Sequence, residues 1–245
     1  MENTLSLTKS EQSAFVTRTY GWMAVALLIS AIAAYWTSMN IFTVEENRLG
    51  FTAFGAFLFA GAKIGFWMLV IAEFILVFVL SAKIRTMSVM GATLGFLAYS
   101  VINGITLSSI FIVYQIASIA GAFFGCAAMF GLMSFYGLTT KKNLNSLGHY
   151  MMMGLIGIII SSAVQFVLKL ITPADFTMLN YLISFVTVVV FTGLTAYDSQ
   201  KIIKTAQHAK NNEDYKKVSI LAALELYLDF INLFLALLRL FGKRK

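Results

Sequence analysis

Long apolar stretches separated by short polar segments recur from Tyr20 to the C-terminus. None shows the every-second-residue alternation of a barrel strand. Each approaches the roughly 20 residues that a helix needs to cross a bilayer. Seven spans are predicted, at about 20–39, 66–82, 89–113, 116–138, 150–170, 179–203 and 218–241. Tyr20, Trp22, Tyr35 and Trp36 of the first suit interfacial belts. The connector after it carries Glu45, Glu46 and Arg48. Its apolar piece, 51–61, is too short to cross and is expected to lie at the interface or fold back. Pro173, the only proline, falls in the loop after the fifth span, and a charged loop, 204–217, precedes the seventh. The expected architecture is all-α: a polar N-terminal tail, 1–19, and one seven-helix transmembrane domain, 20–245. The first apolar stretch runs full span length, so it reads as a helix and not as a cleaved signal.

Composition supports a lipid solvent. Hydrophobic residues make up 59% of the chain and charged residues 12%, against about 25% charge in an average soluble domain. Mean hydropathy is +0.83. The net charge of +7 raises nucleic acid as a partner, but the basic residues are scattered over span ends without a stripe or motif. No nucleic-acid partner is expected. Most of those residues fall on the N-terminal side of a seven-span chain, which places the N-terminus in the cytoplasm. The basic tail, 239–245, argues the other way, and a re-entrant last segment would reconcile the two; seven full spans are the reading adopted. Cys126 is the only cysteine, so neither an internal disulfide nor a cysteine-rich metal site is expected. Gly91 with Gly95, and Gly121 with Gly125, have the four-residue spacing that lets helices approach closely, and they are expected to be packing positions.

Ionisable groups inside spans are costly, about 2.5–3.5 kcal/mol for Asp near a helix centre, and mark candidate sites. Four acids qualify: Glu73, Asp198, Glu225 and Asp229. If the sixth and seventh spans form a hairpin turning near Glu213 and Asp214, Asp198 and Asp229 are equidistant from the turn and lie at similar depth. Two carboxylates meeting in a low-dielectric interior cannot both ionise cheaply, so they would share a proton and titrate as a pair. Ionised, the pair would offer hard oxygen ligands to Ca²⁺. The spacing equally allows two acids bonded separately to backbone or hydroxyl groups. Glu225, one turn before Asp229, is expected at a wet pathway mouth or interface. Glu73 should face the interior, with a hydrogen bond favoured over a transport role. Asn103, Thr106, Ser108, Ser109, Ser161, Ser162 and Gln165 would line a wet path or bond between helices and back to carbonyls. His149 and His208 belong to no ligand cluster, and no HExxH, GxSxG, Walker or GxGxxG pattern points to an enzyme.

The stretches FTGLTAYDSQKI (191–202) and LYLDFINLFLALLRLFG (226–242), with NGITLSSIFIVY (103–114), closely resemble the Bax inhibitor 1 family, particularly its bacterial members. That resemblance implies six helices around a central C-terminal helix, and the apolar seventh span suits a buried position. It also implies a pH-sensitive Ca²⁺ leak gated by an aspartate pair at Asp198 and Asp229. Calcium would be the permeant ion, with no resident cofactor. An acid recurs in the family's second span, and Glu73 matches it approximately. The expected setting is a bacterial inner membrane, with other membrane proteins as candidate partners.

Two further readings compete with the leak. Intramembrane aspartyl proteases also place aspartates on their sixth and seventh spans, one in a Tyr-Asp pair like Tyr197-Asp198. Their Gly-x-Gly before the second aspartate and later Pro-Ala-Leu have no match here, since Asp229 follows Leu226-Tyr227-Leu228 and no proline lies beyond Pro173. The other reading is a regulatory protein that modulates membrane-protein partners, with any leak incidental.

Overall fold

The computed structural model of the chain describes residues 9–45, 48–61, 63–84, 86–172, 174–206 and 212–245. Glu46, Arg85, Pro173, His208 and Lys210 lie outside them. The described elements are α1 (Lys9–Met39), β1 (Phe42–Glu45), β2 (Arg48–Phe51), α2 (Ala53–Phe59), α3 (Ile64–Lys83), α4 (Val89–Leu107), α5 (Ser109–Val113), α6 (Ile116–Thr139), α7 (Asn145–Ile171), α8 (Thr177–Ala206) and α9 (Asn212–Phe241). Seven stretches among them are long and apolar enough to cross a membrane. The protein is an all-α polytopic membrane protein. Large apolar side chains such as Phe74, Phe78, Phe124 and Leu132 point outward, which suits lipid and not water. The last span differs: 72% of its apolar window is buried, against at most 33% for any other described span. A helix that is apolar on all faces is a buried helix.

The chain divides into two compact units. The first comprises residues 1–114 and 208–224, with Lys245. Helix α1 begins at Lys9, so the segment expected to be a polar tail is helical from there, with Glu11 in its first turn and Phe15 and Thr19 buried. An acid at that end complements the helix dipole. The connector that should not cross does not: it forms the antiparallel hairpin β1–β2, with Phe42 opposite Phe51, then the short α2. Thr52 joins the two, donating its hydroxyl to Asn40 O at 2.7 Å and accepting the Gly55 N–H at 2.9 Å. Ser88 caps α4 in the same way, through the Gly91 N–H at 3.0 Å. The predicted third span is two helices, α4 and α5, meeting at Ser108. Helices α1 and α4 pack closely because Gly104 lacks a side chain; a Cβ there would meet Ser30 O at 2.5 Å. Ser30 Oγ donates across that contact to Ser100 O at 2.7 Å. At the start of α9, Tyr215 donates its hydroxyl to Glu11 O at 2.7 Å, and its ring lies edge-on to Phe15.

The second unit comprises residues 115–207 and 225–244. Helix α8 packs against both α6 and α7. The approach of α6 is closest at Gly137, where a Cβ would collide with the Ala196 carbonyl oxygen and lie 3.0 Å from Ser199 Cβ. The expected glycine contacts fall elsewhere. Gly121 and Gly125 have open space where a Cβ would be, and Gly91 neighbours only Met87 and Ser88 of its own preceding loop. Of the four, only Gly95 meets another helix, at Leu80 of α3. Four-residue spacing identifies a face, and which face a partner covers is decided by tertiary packing. From α9, Phe230 sits edge-on between Phe123 and Phe130 of α6, each with ring centroids 5.5 Å away, and its carbonyl accepts from the buried, free Cys126 thiol.

Candidate functional site

Asp198, Lys201, Glu225 and Asp229 come together in the second unit. Asp198 lies in α8, in a stretch whose buried residues are mostly small: Thr195, Ala196 and Ser199. Thr195 and Ser199 return their hydroxyls to carbonyls one turn back, at 2.7 and 2.6 Å, and leave the helix intact. Asp229 lies in α9 between Tyr227 and Phe230 and is 5% exposed, while the Asp198 side chain is 14% exposed.

The two carboxyl groups are within hydrogen-bonding reach of each other. The rationale from equal spacing fails in its premise. Glu213 and Asp214 are not a turn; both lie in the first turn of α9, where acids complement the helix dipole. Asp198 is thus about two turns from the end of α8 and Asp229 roughly five turns into α9. The contact comes from the packing of α8 against the second half of α9. Asp229 Oδ2 is buried and has no hydrogen-bond donor among the described residues. A proton on either carboxyl supplies that donor; with both ionised, two acceptors face each other in an apolar interior.

Around this pair stand one further acid and one base. Lys201 Nζ donates to Glu225 Oε2 at 2.9 Å and lies 3.9 Å from Asp198 Oδ1. The Glu225 side chain is 35% exposed and that of Lys201 40%, so this end of the cluster is more open than Asp229. A wet pathway mouth or interface is the expectation for Glu225; its ion pair with Lys201 is not foreseen by it. In the sequence Lys201 reads only as one of the basic residues near span ends that set topology, although its three-residue spacing from Asp198 puts it on the same helix face. Three carboxyls against one ammonium leave the cluster with net negative charge when all are ionised.

Glu73 belongs to the first unit. Its Oε2 accepts from Asn103 Nδ2 at 3.3 Å, across α3 and α4. Its Oε1 is buried without a donor among the described residues; Thr106, within reach of the carboxyl, donates its hydroxyl to Ile102 O at 3.2 Å. Ser108 and Ser109 also donate their hydroxyls to carbonyls three residues back, Ile105 O and Thr106 O of α4. Ser161 and Ser162 are exposed on the outer face of α7, whereas Gln165 is buried. His149 is exposed. No group of three or more His, Cys, Asp or Glu placed to hold a metal ion occurs among the described residues. Two carboxyls alone do not make a cage for a metal ion, which takes more oxygen ligands than they offer.

A family model described as "Inhibitor of apoptosis-promoting Bax1" matches residues 12–245. An Escherichia coli relative named "Inner membrane protein YbhL" is 45% identical over 236 residues, covering 94% of this chain and 92% of the relative. A Borreliella burgdorferi protein is 41% identical over 232 residues, again covering 94% and 92%. A Rickettsia prowazekii protein is 36% identical over 233 residues, covering 94% and 90%.

Proposed function

Because the chain belongs to the Bax inhibitor 1 family, we propose that it is a pH-sensitive calcium leak channel gated by Asp198 and Asp229. One observation carries this reading: the carboxyl groups of Asp198 and the buried Asp229 are within hydrogen-bonding reach, and one oxygen of Asp229 lacks a donor among the described residues. A single proton shared between them completes the hydrogen bonding. Its loss leaves two like charges that repel at short range in a low dielectric. The two protonation states therefore favour different separations of α8 and the second half of α9, which is a bistable element biased by pH.

Calcium is the cargo. A permeating Ca²⁺ takes six to eight oxygens, and the pair offers only the carboxylates of Asp198 and Asp229. The ion would keep much of its water and be held weakly, as conduction requires. Lys201, bonded to Glu225 and near Asp198, occupies the place of a cation and opposes entry. The N-terminus is assigned to the cytoplasm, and the membrane is a bacterial inner membrane, as the name of the Escherichia coli relative has it. No enzymatic reaction is assigned, so an aspartyl-protease transition-state inhibitor should leave the activity unchanged.

The test is Ca²⁺ entry into liposomes holding the purified protein, compared with empty liposomes. Entry above the empty control supports a leak. No entry at any pH between 5 and 8 would replace this reading with that of a regulatory membrane protein.

A further inference from the structure

A cavity of about 360 Å³ lies at one end of the second unit, lined by the α6–α7 loop and by Gln200, Ile203 and Lys204 of α8. It is separate from the acid cluster: Gln200 follows Asp198 by two residues, about 200° around the helix. Three features characterise it. Its charged lining is Lys141, Lys142 and Lys204, with no carboxylate. Its wall is preformed, because Gln200 holds the loop backbone at two points, donating to Lys142 O at 2.8 Å and accepting the Leu144 N–H at 2.9 Å. Asn143 and Asn145 in turn accept from Lys204 Nζ at 3.3 and 3.1 Å, which fixes an ammonium at the rim.

Its position selects among anions. Helix α6 ends at Thr139, α7 starts at Asn145 and α8 ends at Ala206, so three span ends converge where a bilayer's headgroups lie. Leu138 and Ile203 contribute an apolar wall, and the adjoining α6 face exposes Leu132 and Phe135. A basic pocket at the end of a helix that exposes apolar side chains fits an amphiphile with an anionic head and acyl tails. Basic pockets of this kind between span ends bind phosphate-bearing headgroups, and the volume is in the range of small-molecule sites.

We infer that this cavity binds the phosphate of an anionic lipid headgroup, held by Lys141, Lys142 and Lys204. The inference does not depend on the leak. It is tested by native mass spectrometry of the purified full chain, offered equal amounts of phosphatidylglycerol and phosphatidylcholine. Wild type should retain phosphatidylglycerol preferentially, and excess inorganic phosphate should not displace it. Each lysine changed to glutamine (Lys141→Gln, Lys142→Gln, Lys204→Gln) should weaken the preference, roughly fivefold per charge. The same three positions changed to arginine should keep it, as should Lys169→Gln, in the last turn of α7. Equal retention of both lipids by wild type, or an unchanged preference in the triple glutamine variant, would overturn the site. Displacement by inorganic phosphate would overturn the lipid assignment and make the cavity a soluble-phosphate site.

Discussion

Lys201 and Glu225 form an ion pair of 2.9 Å one helical turn from each of the two aspartates, with the ammonium 3.9 Å from Asp198. The acid cluster thus carries its own cation. Lys201→Met removes a positive charge and favours the protonated form of the aspartate pair. The pH at which Ca²⁺ flux changes should then move upward, and Lys201→Arg should leave it near the wild-type value. Flux titration in proteoliposomes checks this, and an unmoved profile in Lys201→Met would remove Lys201 from the gate.

Gly137 holds α6 against α8 beside the site. A methyl group there meets the Ala196 carbonyl and Ser199, backbone and a buried side chain that cannot yield. Gly137→Ala should destabilise the protein by about 1–3 kcal/mol through overpacking. Gly125→Ala, on an open face of the same helix, should be neutral or stabilising by up to about 1 kcal/mol from helix propensity. Thermal unfolding in detergent distinguishes the two.

Asn103 supplies a hydrogen bond to Glu73 inside the first unit. Asn103→Leu deletes that donor and should cost roughly 0.6–1.7 kcal/mol, the range of such bonds between membrane helices. Unfolding measurements should show the loss while the pH profile of flux is retained. A changed pH profile would instead place Glu73 among the sensing groups.

Asp175, in the loop before α8, accepts the Thr177 hydroxyl at 2.6 Å and the Thr177 N–H at 2.8 Å. These bonds favour its ionised form and hold its carboxyl below the usual range, although the group is fully exposed. The turn is therefore supported above the ordinary Asp range and loses that support as pH falls through the lowered value. In an NMR titration Asp175 should titrate below an ordinary exposed aspartate, and Thr177→Val should raise it.

Seven spans were legible because each is a long apolar run, which periodicity and composition report directly. The helical start at Lys9 was not, since a mixed polar segment gives no apolar stripe. Asp198 and Asp229 were legible as costly charges in spans and as positions of a family motif. The spacing left their contact open, and its premise does not hold, because charge at Glu213 and Asp214 reads as a loop and here begins a helix. Lys201 was overlooked since a lysine near a span end ordinarily reports topology. Glu73 reads as an acid needing an interior partner, but Asn103 is 30 positions away and only the packing of α3 on α4 names it. The glycines show the same limit: Gly137 matters and Gly121 does not, and both look alike in sequence.

The most direct measurement is the pH profile of Ca²⁺ entry into proteoliposomes, run side by side for wild type, Asp198→Asn and Asp229→Asn between about pH 5 and 8, where a buried carboxylate pair can titrate. An asparagine keeps the shape of the contact and cannot lose the shared proton. Wild type should show a pH-dependent flux, and each variant should fold and show a flattened profile. An unchanged profile in both variants would contradict gating by the Asp198–Asp229 pair.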